Sequence, residues 1–161
     1  MNKLEAVMLY LCQNYPYEHE LSNSRLTKLV YLSDWFNCLI NEKQISDISW
    51  IFNHYGPYVD DVMKTAEYSK YFEIEYQKNF YGNSKTLIKC KENQSSFLPE
   101  EEISVLDFVI KKTDRMYYND FIDYVYSTYP VHSKHRYSTL DLISLANEFK
   151  TESLKQSNEN R

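Results

Sequence analysis

His132 and His135 are separated by two residues, and they are the only histidines of the chain that lie near one another in sequence. Two imidazoles could bind a metal ion, but a zinc site needs three or four ligands with supporting carboxylates or thiols. This pair follows Pro130 in a predicted loop and lacks the glutamate that a metalloprotease helix places between its two histidines. The sequence therefore predicts no metal site.

The cysteines are the other candidates for chemistry, because a thiol paired with an imidazole such as that of His54 is a nucleophile. Nothing in the sequence brings His54 to Cys38 or Cys90, and three widely spaced cysteines (Cys12 is the third) are typical of buried, reduced thiols in a cytosolic protein. Having only two glycines excludes a glycine-rich loop that cradles phosphate. We therefore predict a protein that has no cofactor and is not an enzyme, with a small enzyme as the alternative.

Asp34 stands apart as a carboxylate within an apolar stretch. In the structural interpretation it accepts hydrogen bonds from the backbone that turns at Tyr55–Tyr58, or from a tyrosine hydroxyl, because a buried carboxylate needs partners. In the functional interpretation it is an exposed acceptor for a basic residue of another protein. The structural interpretation is the one we favour.

The segment around Asp34, from Ser24 to Ile40, predicts a helix of about four turns that is apolar nearly all round. A helix with this pattern is buried, with other elements packed about it. Its apolar and aromatic positions are Leu26, Leu29, Val30, Tyr31, Leu32, Trp35, Phe36, Cys38, Leu39 and Ile40. Ser33 and Asn37 are polar within this surface and, like Asp34, need hydrogen-bond partners.

A sharp turn follows the central helix. Gly56 is able to take a positive φ, and Pro57 suits the first position of a helix. The chain is therefore expected to turn at Tyr55–Pro57 and to begin a helix that runs over Tyr58–Tyr68. Gly56 and Pro57 are structural residues in this interpretation.

Three segments have the alternating pattern of half-buried strands. The first is Ile48–Phe52, in which Trp50 and Phe52 are predicted to face inward. Tyr71–Gln77 and Thr86–Cys90 flank a turn sequence and predict an antiparallel hairpin. Because an isolated hairpin is marginally stable, it should lean on the helices or pair with the first segment.

Four further helices complete the predicted fold, which is a mostly helical α+β domain around the central buried helix, with a small antiparallel hairpin or three-stranded sheet. They are an amphipathic helix over residues 3–15, one that starts at Leu98-Pro99, one over Tyr117–Tyr129 that Pro130 ends, and one capped by Ser138 or Thr139. The domain spans residues 1–150, and residues 151–161 are polar and predicted to be a disordered tail.

Composition excludes several classes of partner. The net charge of −5 argues against a surface that binds nucleic acid, and the predicted second helix is apolar where a DNA-recognition helix would present Arg, Lys, Asn or Gln to a groove. No apolar run is long enough to span a membrane, and Met1–Glu5 does not begin a signal peptide. A cytoplasmic protein is expected.

The forty residues from Ser24 to Met63 carry a resemblance to a known family. The string Leu26-Thr27-Lys28-Leu29-Val30-Tyr31-Leu32-Ser33-Asp34-Trp35, followed by Trp50 and by Tyr55-Gly56-Pro57, resembles the SocA-like antitoxin domain, also called Panacea. Family members carry a KLLYF-type helix, an aromatic-rich strand or loop, and "YGP". The resemblance covers roughly residues 3–150, and it departs from the family at Pro57-Tyr58 and at Phe52-Asn53-His54.

The resemblance implies an antitoxin, often prophage-borne, that neutralises a cognate toxin by protein–protein binding. Occlusion of the toxin's active site is the favoured mechanism, and handing the toxin to a host protease is the alternative. A translation-blocking, alarmone-synthetase-like enzyme is the first expectation for the toxin. A phage-encoded inhibitor of a host defence protein is the alternative function, and a DNA-binding regulator is disfavoured.

The aromatic and acidic residues around the "YGP" turn are the predicted partner-binding residues. Rigid rings beside a tight turn suit an interface because they lose little entropy on binding and carry a large contact area. These residues are His54, Tyr55, Tyr58, Asp60 and Asp61, of which Tyr58, Asp60 and Asp61 are expected to point outward.

Overall fold

The computed structural model describes residues 1–78, 81–91 and 94–160. At its centre lies α2 (Asn23–Asn41), which packs against α1 (Lys3–Asn14), α3 (Asp61–Tyr68), α4 (Glu100–Thr113) and α7 (Leu142–Glu159). The Ser22 hydroxyl caps α2 by accepting a hydrogen bond from the Arg25 N–H. The prediction of a central buried helix is confirmed, although Ile40 in its last turn is 61% exposed.

Polar side chains inside α2 are hydrogen-bonded, as their burial requires. Ser33 Oγ donates to the Leu29 carbonyl oxygen at 2.8 Å, and Asn37 Nδ2 donates to the Lys43 carbonyl oxygen at 2.8 Å. The hydroxyls of Tyr31 and Thr128 lie 2.8 Å apart. The central helix is therefore fixed to its surroundings by polar contacts as well as by apolar packing.

The strands form two separate antiparallel sheets. One has the order β2-β1-β5, in which β1 (Trp50–Asn53) lies between β2 (Gly56–Pro57) and β5 (Thr139–Leu140). The other is a hairpin of β3 (Phe72–Lys78) and β4 (Ser84–Cys90). The hairpin leans on α1, α2 and α3, one of the two expected ways to stabilise it. The predicted α+β, mostly helical fold is confirmed, and both forms of sheet are present.

Several predicted helix boundaries are wrong, because prolines and capping residues were interpreted without knowledge of the tertiary fold. Pro57 does not open a helix: it pairs with Phe52 in β2, and α3 begins four residues later at Asp61. Pro130 lies in the first turn of a short helix, α6 (Tyr129–Ser133), which follows α5 (Tyr118–Ser127) directly. The caps predicted for the last helix fall before it, and Asp141 caps α7 instead.

Residues 151–159, for which the sequence predicts disorder, form the last turns of α7. All of them are exposed. The segment lacks an apolar stripe but contains no proline or glycine, so the helix continues into solvent after its buried contacts at Leu142, Leu145 and Ala146 have ended. Arg161 lies outside the described residues. Over the described part of the chain, no helix has both the length and the apolar character needed to cross a membrane.

Candidate functional site

A two-residue turn connects β1 to β2 and projects two rings from the surface. Asn53 pairs with Gly56 across the turn, which leaves His54 and Tyr55 at its tip. Gly56 has a φ of +98°, which L side chains rarely adopt. Tyr55 is 76% exposed, and its ring meets that of His54 edge to face at 4.5 Å between centroids. The expected sharp turn at the "YGP" sequence is therefore present.

Segment 136–138 braces this turn from outside. The Arg136 Nε donates to the His54 carbonyl oxygen at 3.1 Å, and the His54 Nδ1 lies 3.3 Å from the Tyr137 hydroxyl. The backbone of Phe52 exchanges hydrogen bonds with Ser138 and Tyr137, at 2.9 and 2.5 Å. The turn is consequently held in one conformation by contacts with a distant part of the chain.

Asp34 anchors the chain that leads into β1. It is 1% exposed and accepts hydrogen bonds from the backbone N–H groups of Ile45 and Ser46, at 3.0 and 2.9 Å. Its other carboxylate oxygen accepts from Ser46 Oγ, and from Trp50 Nε1 at 2.8 Å. Burial raises the pKa of Asp34 to about 6, and these hydrogen bonds act in the opposite direction.

The structural interpretation of Asp34 therefore fits its environment, but the expected partners were wrong. Its donors belong to segment 44–50 rather than to the turn at Tyr55–Tyr58 or to a tyrosine hydroxyl. Trp50 is 1% exposed and Phe52 is 6% exposed, so both lie inward. Asp34 acts on the turn indirectly, by fixing the start of β1 through the Trp50 indole.

The five predicted partner-binding residues lie within eight positions of the sequence but differ in exposure. His54, Tyr55, Asp60 and Asp61 are exposed, the two acids at the start of α3. Tyr58 does not point freely outward: it is half-buried, and its hydroxyl accepts a hydrogen bond from Asn23 Nδ2 at 3.0 Å. A proline-led helix would have turned Tyr58 to solvent, whereas the β2 pairing of Pro57 directs it toward α2.

A pocket of about 580 Å³ lies beside this turn. Its walls come from the turn, from Tyr58 and from two helices that sequence reasoning did not connect to it. The helical lining residues are Ser24 and Lys28 of α2, and Tyr118, Asn119, Ile122 and Tyr126 of α5. The four-residue spacing of Ser24 and Lys28 places them on one helix face, but nothing in the sequence indicates that α5 packs opposite that face.

Two of the three thiols, those of Cys12 and Cys38, are buried, and the His132–His135 pair lies at the end of α6. Burial raises the pKa of Cys38 to about 12 and also raises the pKa of Cys12, so neither thiol carries appreciable thiolate at neutral pH. His132 lies in α6 and His135 beyond its end, and among the described residues no group of three metal-ligating side chains comes together.

The family model for the antitoxin SocA-like, Panacea domain matches residues 26–130. The chain belongs to this family. No curated protein and no solved structure matches it. The match begins in the first turn of α2 and ends in α6, so this Panacea domain includes the turn, the hairpin and every pocket-lining residue except Ser24. Membership in an antitoxin-like family suggests a role in a toxin–antitoxin system.

Proposed function

We propose that this Panacea domain is an antitoxin that binds its toxin directly through the turn face, which consists of His54, Tyr55, Tyr58, Asp60 and Asp61. The observation that carries the proposal is the large exposed ring of Tyr55 on a turn braced by Arg136. An exposed aromatic side chain on an ordered backbone supplies contact area without the entropy of ordering a loop. Such a residue suits an anchor in a protein interface.

The charge of the turn face indicates what kind of surface it would meet. Asp60 and Asp61 are exposed, and neither forms an ion pair within the described part of the chain. Acids in this position favour a partner with a basic patch, because complementary charge steers association and fixes orientation. An enzyme that binds phosphates through lysine and arginine, such as an alarmone-synthetase-like toxin, has such a patch at its active site. Occlusion of that active site is the mechanism that we propose.

The test is co-expression with the toxic product of the neighbouring gene. Tyr55→Ala combined with Asp61→Lys should abolish rescue of growth and co-purification of the complex while leaving thermal unfolding of the free protein close to wild type. Tyr55 is preferred to Tyr58 because truncation of Tyr58 also removes its hydrogen bond with Asn23.

A matched control exists on the hairpin, where Tyr76 and Glu73 are also exposed. Tyr76→Ala with Glu73→Lys makes the same tyrosine truncation and the same reversal of charge on another face, and it should preserve rescue. If the hairpin variant loses rescue and the turn variant keeps it, the interface lies on the hairpin and the proposed face is wrong. The toxin could instead disappear from cells on co-expression and persist when a host protease is removed. That result would indicate proteolytic handover rather than occlusion.

A further inference from the structure

The pocket beside the turn has one lysine in a largely aromatic wall. Lys28 is 1% exposed and lines the pocket, and none of the ten lining residues is acidic. Four of the lining residues are tyrosines, and Ile122 adds an aliphatic surface. A volume of about 580 Å³ is in the range of pockets that bury small molecules, which combine apolar walls with a few placed polar groups.

The ammonium of Lys28 retains capacity for an anion. Its Nζ donates to Ser24 Oγ at 3.2 Å, and Ser24 Oγ lies 3.1 Å from the Tyr118 hydroxyl. An ammonium has three N–H donors. Within the described part of the chain, Ser24 Oγ is the only acceptor that Nζ reaches, and no carboxylate forms an ion pair with it.

Burial of the Lys28 ammonium favours the binding of an anion. A buried cation without a counter-ion is unfavourable, and burial lowers the pKa of Lys28 to about 8. The group is therefore still largely protonated at pH 7, and an anion that enters the pocket would replace the lost solvation. Because Lys28 is the single lysine of the lining and no arginine joins it, a monoanion matches the pocket better than a doubly charged phosphate does.

We propose that this pocket binds a carboxylate carried on an aromatic group, with Lys28 contacting the carboxylate and the tyrosine walls contacting the ring. Tyr118 and Tyr126 of α5 and Tyr55 and Tyr58 beside the turn surround the position of the ring. The same chemistry occurs in a free aromatic acid and in a protein chain that ends in an aromatic residue. This inference does not rest on the antitoxin proposal, and either can fail alone.

The test is an NMR titration of the full-length, ¹⁵N-labelled protein with 3-phenylpropionate and with its neutral amide, 3-phenylpropionamide. The acid should shift amide signals of the turn and of α5 in a saturable way and bind more tightly than the amide by about tenfold or more, the effect of one charge-assisted hydrogen bond. Equal affinity of acid and amide, or no saturable shift with either compound, would overturn the proposal.

Two variants test whether Lys28 causes the preference for the acid over the amide. Lys28→Met should remove the preference for the acid, whereas Lys64→Met, which removes an exposed lysine of α3 outside the pocket lining, should retain it. A preference for the acid that survives in folded Lys28→Met contradicts the assignment. If Lys28→Met does not fold, the comparison of acid and amide on the unmodified protein still decides whether the pocket recognises the carboxylate.

Two peptides then identify the source of the carboxylate. A tetrapeptide ending in phenylalanine is compared as the free acid and as the C-terminal amide. Tighter binding of the acid peptide than of 3-phenylpropionate supports a chain terminus as the ligand. Binding of 3-phenylpropionate without binding of the peptide supports a free aromatic acid.

Discussion

Replacing Gly56 with alanine tests how strongly the turn depends on one backbone conformation. Gly56 is buried in β2 and has a φ of +98°. A side chain in the left-handed region costs a non-glycine residue about 1–2 kcal/mol. An ideal Cβ at this position would lie 3.2 Å from Cε2 of Tyr126, so the tyrosine ring would have to move by a few tenths of an ångström.

We expect the two effects together to lower the free energy of unfolding by about 2 kcal/mol. For a domain of this length, 1 kcal/mol corresponds to a change of roughly 2–4 °C in the melting temperature. Gly56→Ala should therefore melt about 4–8 °C below wild type in a calorimetric or circular dichroism scan. Gly56→Val should melt lower still, because a branched side chain adds crowding at the same φ.

Gly82 provides the matched control for this experiment. Its φ is +83°, so alanine there meets the same kind of backbone strain, but a Cβ would have nothing within 4 Å. Gly82→Ala should therefore destabilise the protein less than Gly56→Ala does, and the difference measures the contact with Tyr126. Equal melting temperatures for Gly56→Ala and wild type would refute the argument from positive φ. Equal losses at the two glycines would refute the contribution of Tyr126.

Two further predictions concern the anchor and the last helix. Asp34→Ala should lower the free energy of unfolding by at least about 3 kcal/mol in a urea titration, because it leaves several buried donors, including the Trp50 indole, without an acceptor. A loss below about 1 kcal/mol would contradict the anchoring role. Truncation after Lys150 should preserve a cooperative thermal transition, because residues 151–159 are all exposed; non-cooperative melting of the truncated chain would show that this segment supports the core.

The sequence was a good guide to elements that long apolar patterns specify. The α2 helix is predicted within one residue of each end, because its nineteen residues carry a continuous apolar pattern and a hydroxyl cap. The hairpin was likewise predictable from alternation around turn residues. Proline was a poorer guide, because the same residue suits a helix start, a helix end or a strand edge. Pro57 pairs with Phe52 in β2, whereas Pro130 lies in the first turn of α6.

The pocket could not be predicted for a different reason. Lys28 and Tyr126 are 98 positions apart and lie on different helices, so no periodicity links them. From the local sequence, a lysine within an apolar helix is expected to extend its charged end to solvent, which is the usual arrangement. Its burial depends on α5 and the turn closing over one face of α2, which is a property of the packed fold alone.

The bracing of the turn bears on how a partner would bind it. The backbone of the turn is hydrogen-bonded to segment 136–138 on one side, and Tyr58 N–H donates to the Ile51 carbonyl oxygen at 3.1 Å on the other. Trp50, at the start of the same strand, is tied to Asp34 of the central helix. A partner would therefore meet an already ordered surface and would not have to supply the free energy of folding it. Association through the turn face should accordingly show the heat-capacity change of the contact area alone, whereas a much larger change would mean that binding orders a segment elsewhere in the complex.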